Sequence, residues 1–259
     1  MNSVSKEDRK DLQNLMNYFL FDHHVAFVLF GSKPMCEIIL QPSKNAEEEK
    51  RLLASLPKEM REKAEIVKYP YSPYDCWKTW KKNQHHFCMQ NFMFAERSLK
   101  IDPSAIVVVV VNIENTISVL REHYEYFKGL FGEDFEPAIE VLALKEINSS
   151  FWDCILSDHI AQGLLFGYGE RNARAFARMI QKGEDFENFD FSTTKKIARC
   201  KATNRNFSIP QFRSFEDEKI LKIYQEEQKK IERIYLKEDV LEVTLKKLTG
   251  TLPNHQEGE

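Results

Sequence analysis

The residues of this chain best spaced for chemistry lie in GLLFGYGERNARAFARMI. There Gly167 and Gly169 bracket a turn, and Arg171, Arg174 and Arg178 follow at steps of three and four. Two glycines let a backbone turn sharply, and arginines so spaced share one face of a helix. Cations beside the free N–H groups of a helix start suit a phosphate or a carboxylate. Lys33, in the other glycine-bearing turn Gly31-Ser32-Lys33-Pro34, is a further contributor to such an anion site. Glu170 opposes this reading, because a carboxylate in the first turn can satisfy the helix end internally. Neither GxGxxG nor a Walker loop is present, no strand precedes the turn, and FGSKP lacks the second glycine and the helix of a phosphate loop. The plain alternative is a helical hairpin with a solvated arginine face. Two helices about a glycine turn are also the outline of a DNA-reading pair.

The remaining candidates are weaker. Trp77 and Trp80 sit one helical turn apart among Lys78, Lys81 and Lys82. Rings beside cations can stack on bases, but indoles at this spacing more often anchor a helix to a core. His23, His24, His85, His86, Cys88 and His159 form no HxxxH, HExxH or paired CxxC, so no metal site is expected. Lys195, Lys196, Arg199, Lys201, Arg205 and Arg213 make 192–213 basic, with no acid among them. Such a segment can bind phosphates, or dock against the acidic stretches GEDFENFD and SFEDE on either side. No nucleophile–base constellation, paired acid motif or cofactor fingerprint stands out.

The elements that must position these groups centre on AIVVVVVN. Ile106 to Val111 are all β-branched and no polar residue interrupts them, which predicts a strand covered on both faces. Asn112 is a good N-cap, and Ile113, Ile117, Leu120, Tyr124, Phe127 and Phe131 predict one helix ending at Gly132. Earlier, a helix is expected from Ser5 to Phe21, then a hairpin of Val25–Phe30 with Met35–Leu40 about the Gly-Ser-Lys-Pro turn. Residues 43 to 68 suggest two short helices broken at Pro57, and Ser72-Pro73 opens another through Gln84. Asn91–Leu99 and the central strand flank KIDPS as a second hairpin. Helices follow over Pro137–Lys145 and Phe151–Phe166. In the next, Ala173, Phe176, Ala177 and Ile180 form the buried face. Two last helices span Phe215–Leu236 and the stretch to Thr249; Ile220, Tyr224, Ile231 and Tyr235 stripe the first, Leu241, Leu245 and Leu248 the second.

These 259 residues, 42% hydrophobic and 30% charged, describe an ordinary folded protein, and a net charge of −3 is too small to draw nucleic acid or an acidic membrane by bulk attraction. Five scattered cysteines without CxxC suit free thiols in a reducing compartment. The polar start MNSVSKEDRKDLQ is no secretory signal, and no apolar run reaches membrane-spanning length. A soluble cytoplasmic protein is expected, with export by a non-classical route left open.

LFGSKPM, VVVVVN with its following helix, GLLFGYGERNARAF and SIPQF ahead of the long C-terminal helices together resemble a family of proteins from chlamydiae and related intracellular bacteria. The resemblance covers most of the chain. It implies a bacterial protein from a host-dwelling organism and carries no activity, cofactor or catalytic residue.

The expected fold is α+β: a largely antiparallel sheet of two β-hairpins with a buried central strand, 106–111, covered by many α-helices. Residues 1–250 form one compact domain, with 151–250 a candidate helical subdomain and 251–259 a disordered tail. The leading functional expectation is a non-catalytic interaction or scaffolding protein at a host interface, with a protein partner and no nucleic acid. The alternative is an enzyme or binding protein for an anionic ligand at Gly167–Arg178. Partner identity and oligomeric state stay open.

Overall fold

The computed structural model describes residues 4–43, 69–99, 102–144, 150–182, 219–236 and 239–251, together with 54, 192–193, 207, 209–210 and 212–214. The fold is α+β. Three antiparallel strands, β1 (Met35–Leu40), β2 (Phe92–Leu99) and β3 (Asp102–Asn112), lie in the order β1-β3-β2, so the valine strand is central. In register, Cys36 and Phe94 both oppose Val110, and Met35 and Met93 both oppose Val111. Successive side chains of a strand face opposite ways, and β3 buries both sets. Val108 and Val110 look into one core, Val107, Val109 and Val111 into the other.

The first core is closed by α1 (Lys6–Asn17), α2 (Val25–Phe30), α3 (Pro73–Asn83), α10 (Lys219–Tyr235) and α11 (Val240–Leu248). The second is closed by α4 (Ile113–Glu122), α5 (Tyr124–Phe131), α6 (Pro137–Ala143), α7 (Ser150–Ser157) and α8 (His159–Leu165). Helix α9 (Glu170–Lys182) packs on α8. A two-residue pair, β4 (Ser192–Thr193) with β5 (Arg213–Ser214), stands apart. Thus 151–165 belong to one face of the sheet and 219–248 to the other.

Val25–Phe30 is a helix, so the first expected hairpin does not exist; only the second, β2 with β3, is present. An apolar run of six carries no period that separates strand from helix. Here Val25 to Leu29 are all buried, with Phe27 set edge-on to Tyr224 and Phe30 edge-on to Tyr235. A helix closes its own hydrogen bonds in that setting, where a strand would need a neighbour. The expected helix after Asn112 divides at His123, and the one after Ser150 divides at Asp158, whose carboxylate caps α8 through the Ala161 N–H. On α9 the buried positions are Asn172, Ala173, Ala177 and Met179. Ile180, expected inside, is 44% exposed, one residue of rotation away. Residues 44–53 and 55–68, most of the basic 192–213 stretch and the tail from 252 fall outside the described residues.

Candidate functional site: two glycine turns in contact

The chain ends α8 with a Schellman motif, the backbone solution to a helix whose last carbonyls lack partners. The Tyr168 N–H donates to Gly163 O at 2.8 Å, the Gly167 N–H donates to Leu164 O at 3.0 Å, and Gly167 holds φ +72. Gly169, at φ +84, then starts α9, and its carbonyl accepts from the Ala173 N–H at 3.0 Å. Side chains satisfy the carbonyls between. Lys33 Nζ donates to Phe166 O, the Tyr224 hydroxyl donates to Gly167 O at 2.6 Å, and Asn172 Nδ2 donates to Tyr168 O at 2.8 Å. A side chain on Gly167 would run into the Tyr224 hydroxyl and press on Pro34 Cδ at 3.2 Å.

The other turn, Gly31 to Pro34, is fastened as thoroughly. Asn112 caps α4 by accepting from the Asn115 N–H at 3.0 Å and also donates to Val28 O at 3.0 Å. Asn115 Nδ2 donates to Gly31 O at 3.0 Å, and the Thr116 hydroxyl lies 3.3 Å from Pro34 O. The Ser32 N–H donates to Glu227 Oε1 at 2.8 Å, while the buried Glu227 Oε2 has no hydrogen-bond partner among the described residues. Burial raises the pKa of this carboxyl, and the Ser32 contacts oppose the rise.

Lys33 links the two turns. It is 2% exposed, and its ammonium lies 5.0 Å from the centroid of the Tyr168 ring, which stacks on Phe212 at 4.9 Å. Burial pulls its pKa down to about 8 and pushes the nearby Cys36 thiol up to about 12. Burial, aided by the Lys33 charge, also lowers His24 to about 4. What Lys33 meets is the C-terminal end of α8, where a helix carries partial negative charge and favours a cation.

No family model matches this chain, and neither a curated protein nor a solved structure is significantly similar to it. Lys33, Gly167 and Gly169 are brought together as an internal joint. The arginines of α9 lie elsewhere: Arg174 pairs with Glu170 at 2.7 Å and lies 5.7 Å from the Tyr126 ring centroid, while Arg171 and Arg178 are exposed.

Both indoles of α3 are buried, and Lys78, Lys81 and Lys82 pair with Asp75, Glu96 and Asp8. Among the described residues, no three His, Cys, Asp or Glu side chains could hold a metal ion, and no helix is long and apolar enough to cross a membrane. A pocket of about 480 Å³ between α1, the His86 turn and α11 is lined by Arg9, His86, Glu242 and Lys246 among others; the last two pair at 3.1 Å. The sequence reading missed Glu227, Asn115 and Thr116. Asn112, Asn115 and Thr116 at one-turn spacing were the available signal, since polar residues on the inner side of a buried helix start must bond to something.

Proposed function

We propose that this protein acts by binding another protein rather than by catalysis, with α6 as the contact. The observation that supports this is the pair Ile139 and Leu142, 64% and 60% exposed and one turn apart, the most exposed large apolar side chains among the described residues. Pro137 and Val141 of the same helix are buried, Val141 in the second core, so the pair is presented on a fixed element. Apolar side chains held out this way favour an interface. In keeping with the family resemblance, the reading extends to a bacterial protein whose partner belongs to the host.

A photo-crosslinking residue at position 139 of the intact chain tests this. Under the proposal it yields one discrete protein adduct, which Leu142→Asp removes and which the same probe at Glu122 does not give. Equal, diffuse labelling from both positions would defeat the reading.

A second reading, an anionic ligand at the joint, draws on one observation: among the described residues no carboxylate pairs with the buried Lys33 ammonium. It requires inorganic phosphate or a carboxylate to raise Tm in the native chain and not in Lys33→Met. A ligand at one hundred times its Kd adds about 2.7 kcal/mol, well within reach of a thermal scan.

A further inference from the structure

The apolar pair on α6 stands in a one-sided field of charge. Residues 129–144 hold four carboxylates, Glu133, Asp134, Glu136 and Glu140, and no lysine, arginine or histidine. Glu133 is paired with Lys128 at 2.6 Å, and Glu136 caps α6 by accepting from the Ala138 N–H at 3.5 Å. Asp134 and Glu140 have no ion pair among the described residues. Asp134 and Glu136 are exposed; Glu140 is half-buried, and burial raises its pKa with no cation beside it to oppose the rise. The turn that carries these groups into α6 is fixed. The Gly132 N–H donates to Lys128 O at 2.8 Å and the Phe135 N–H donates to Gly132 O at 3.2 Å. The buried Phe135 ring stacks on Phe131 at 5.3 Å (12°), and the Tyr124 hydroxyl lies 3.3 Å from Phe135 O.

We propose that the partner of α6 presents a basic amphipathic helix, whose apolar stripe seats on Ile139 and Leu142 and whose flanking lysines or arginines meet Asp134, Glu136 and Glu140. The inference rests on α6 being the contact, as proposed above, and adds the chemistry of what it meets. A helix closes its own main-chain hydrogen bonds, so this face offers no strand edge to extend, and the incoming segment must satisfy its own backbone, as a helix does. Two apolar side chains one turn apart match a stripe of the same spacing on the partner. Carboxylates around them repel an acidic helix and draw a basic one, so charge selects the partner where apolar contact alone would not. Solvated carboxylates by themselves would mark only a wet surface; here they border an apolar ridge on a rigid element.

Fluorescence anisotropy of the full chain with three labelled helical peptides tests this. All three share one leucine stripe and carry lysine, glutamine or glutamate at the remaining positions. At low salt the lysine peptide should saturate at least about tenfold more tightly than the glutamine peptide, the gap should close as salt screens it, and the glutamate peptide should not bind. Asp134→Asn/Glu140→Gln should bring the lysine peptide down to the affinity of the glutamine peptide, while Glu226→Gln, a change at an exposed carboxylate of α10, should leave it as it was. The inference is overturned if the lysine peptide does not saturate, if it binds no better than the glutamine peptide, or if Asp134→Asn/Glu140→Gln binds it like the native chain. It is equally overturned if the chain self-associates in sedimentation and Leu142→Asp makes it monomeric, because a second copy then occupies the face. The crosslinked adduct at position 139 is scored without reference to peptide charge. A discrete adduct with no lysine preference therefore defeats the basic helix and keeps α6 as the contact, whereas diffuse labelling defeats both.

Discussion

The Tyr224 hydroxyl donates to the carbonyl of Gly167 at 2.6 Å, tying α10, which packs on one face of the sheet, to the end of α8, which packs on the other. A bond between elements on opposite faces holds the helical layers in register around the edge of the sheet. Gly167→Ala must place a residue with Cβ at φ +72 and push the hydroxyl away. Left-handed backbone strain alone costs roughly 1–3 kcal/mol. Tyr224→Phe keeps the ring and strands the carbonyl, for a loss of about 1–3 kcal/mol. Urea denaturation should show both losses, and the double variant should lose less than their sum, because both act on one contact.

Lys33 gives a pH signature. Its folded pKa of about 8 lies below the ordinary 10.5, so between those values the unfolded chain binds the extra proton. Stability from this group therefore rises as pH climbs from about 8 to 10.5, and is lowest below pH 8, where the ammonium stays charged in the folded protein. Cys36, raised to about 12 from 9.0, pulls the other way over pH 9 to 12. The informative quantity is the difference between the native chain and Lys33→Met in denaturation at pH 7.5 and pH 10. The native chain should gain relative to the variant as pH rises, and parallel curves would contradict the assignment.

Acid should weaken the protein through His23 and His24. Burial lowers both to about 4 from 6.5, so the unfolded chain takes up protons first and stability falls as pH drops from about 6.5 to 4. A Tm series across that range should decline more steeply for the native chain than for His23→Gln/His24→Gln.

The legible parts of this fold were those set by local chemistry. Six uninterrupted β-branched residues favour a strand covered on both sides, and Asn112, Ser72 and Gly132 each end or begin a helix where side-chain type alone predicts. The α2 segment was illegible because its six apolar residues have no period, and its state is decided by Tyr224 and Tyr235, both about two hundred residues further along the chain. At the joint, Gly167 and Gly169 announce the turn, but nothing local announces that Lys33 and Tyr224 will meet its carbonyls. The arginine spacing was real and pointed outward, and periodicity cannot say which face of a short helix is wet when alanines and arginines alternate.

The strand order has a consequence for how the molecule comes into being. β1 and β2 are made before β3 yet both hydrogen-bond only to it within their sheet. A nascent chain halted at Leu99 would hold two strands with no partner between them. The β2–β3 hairpin can zip as soon as Asn112 clears the ribosome, whereas β1 must then be recruited across the long connection that carries α3, an entropic cost that makes it the late arrival. Until that step finishes, the bare side of the valine strand is the segment most in need of a chaperone.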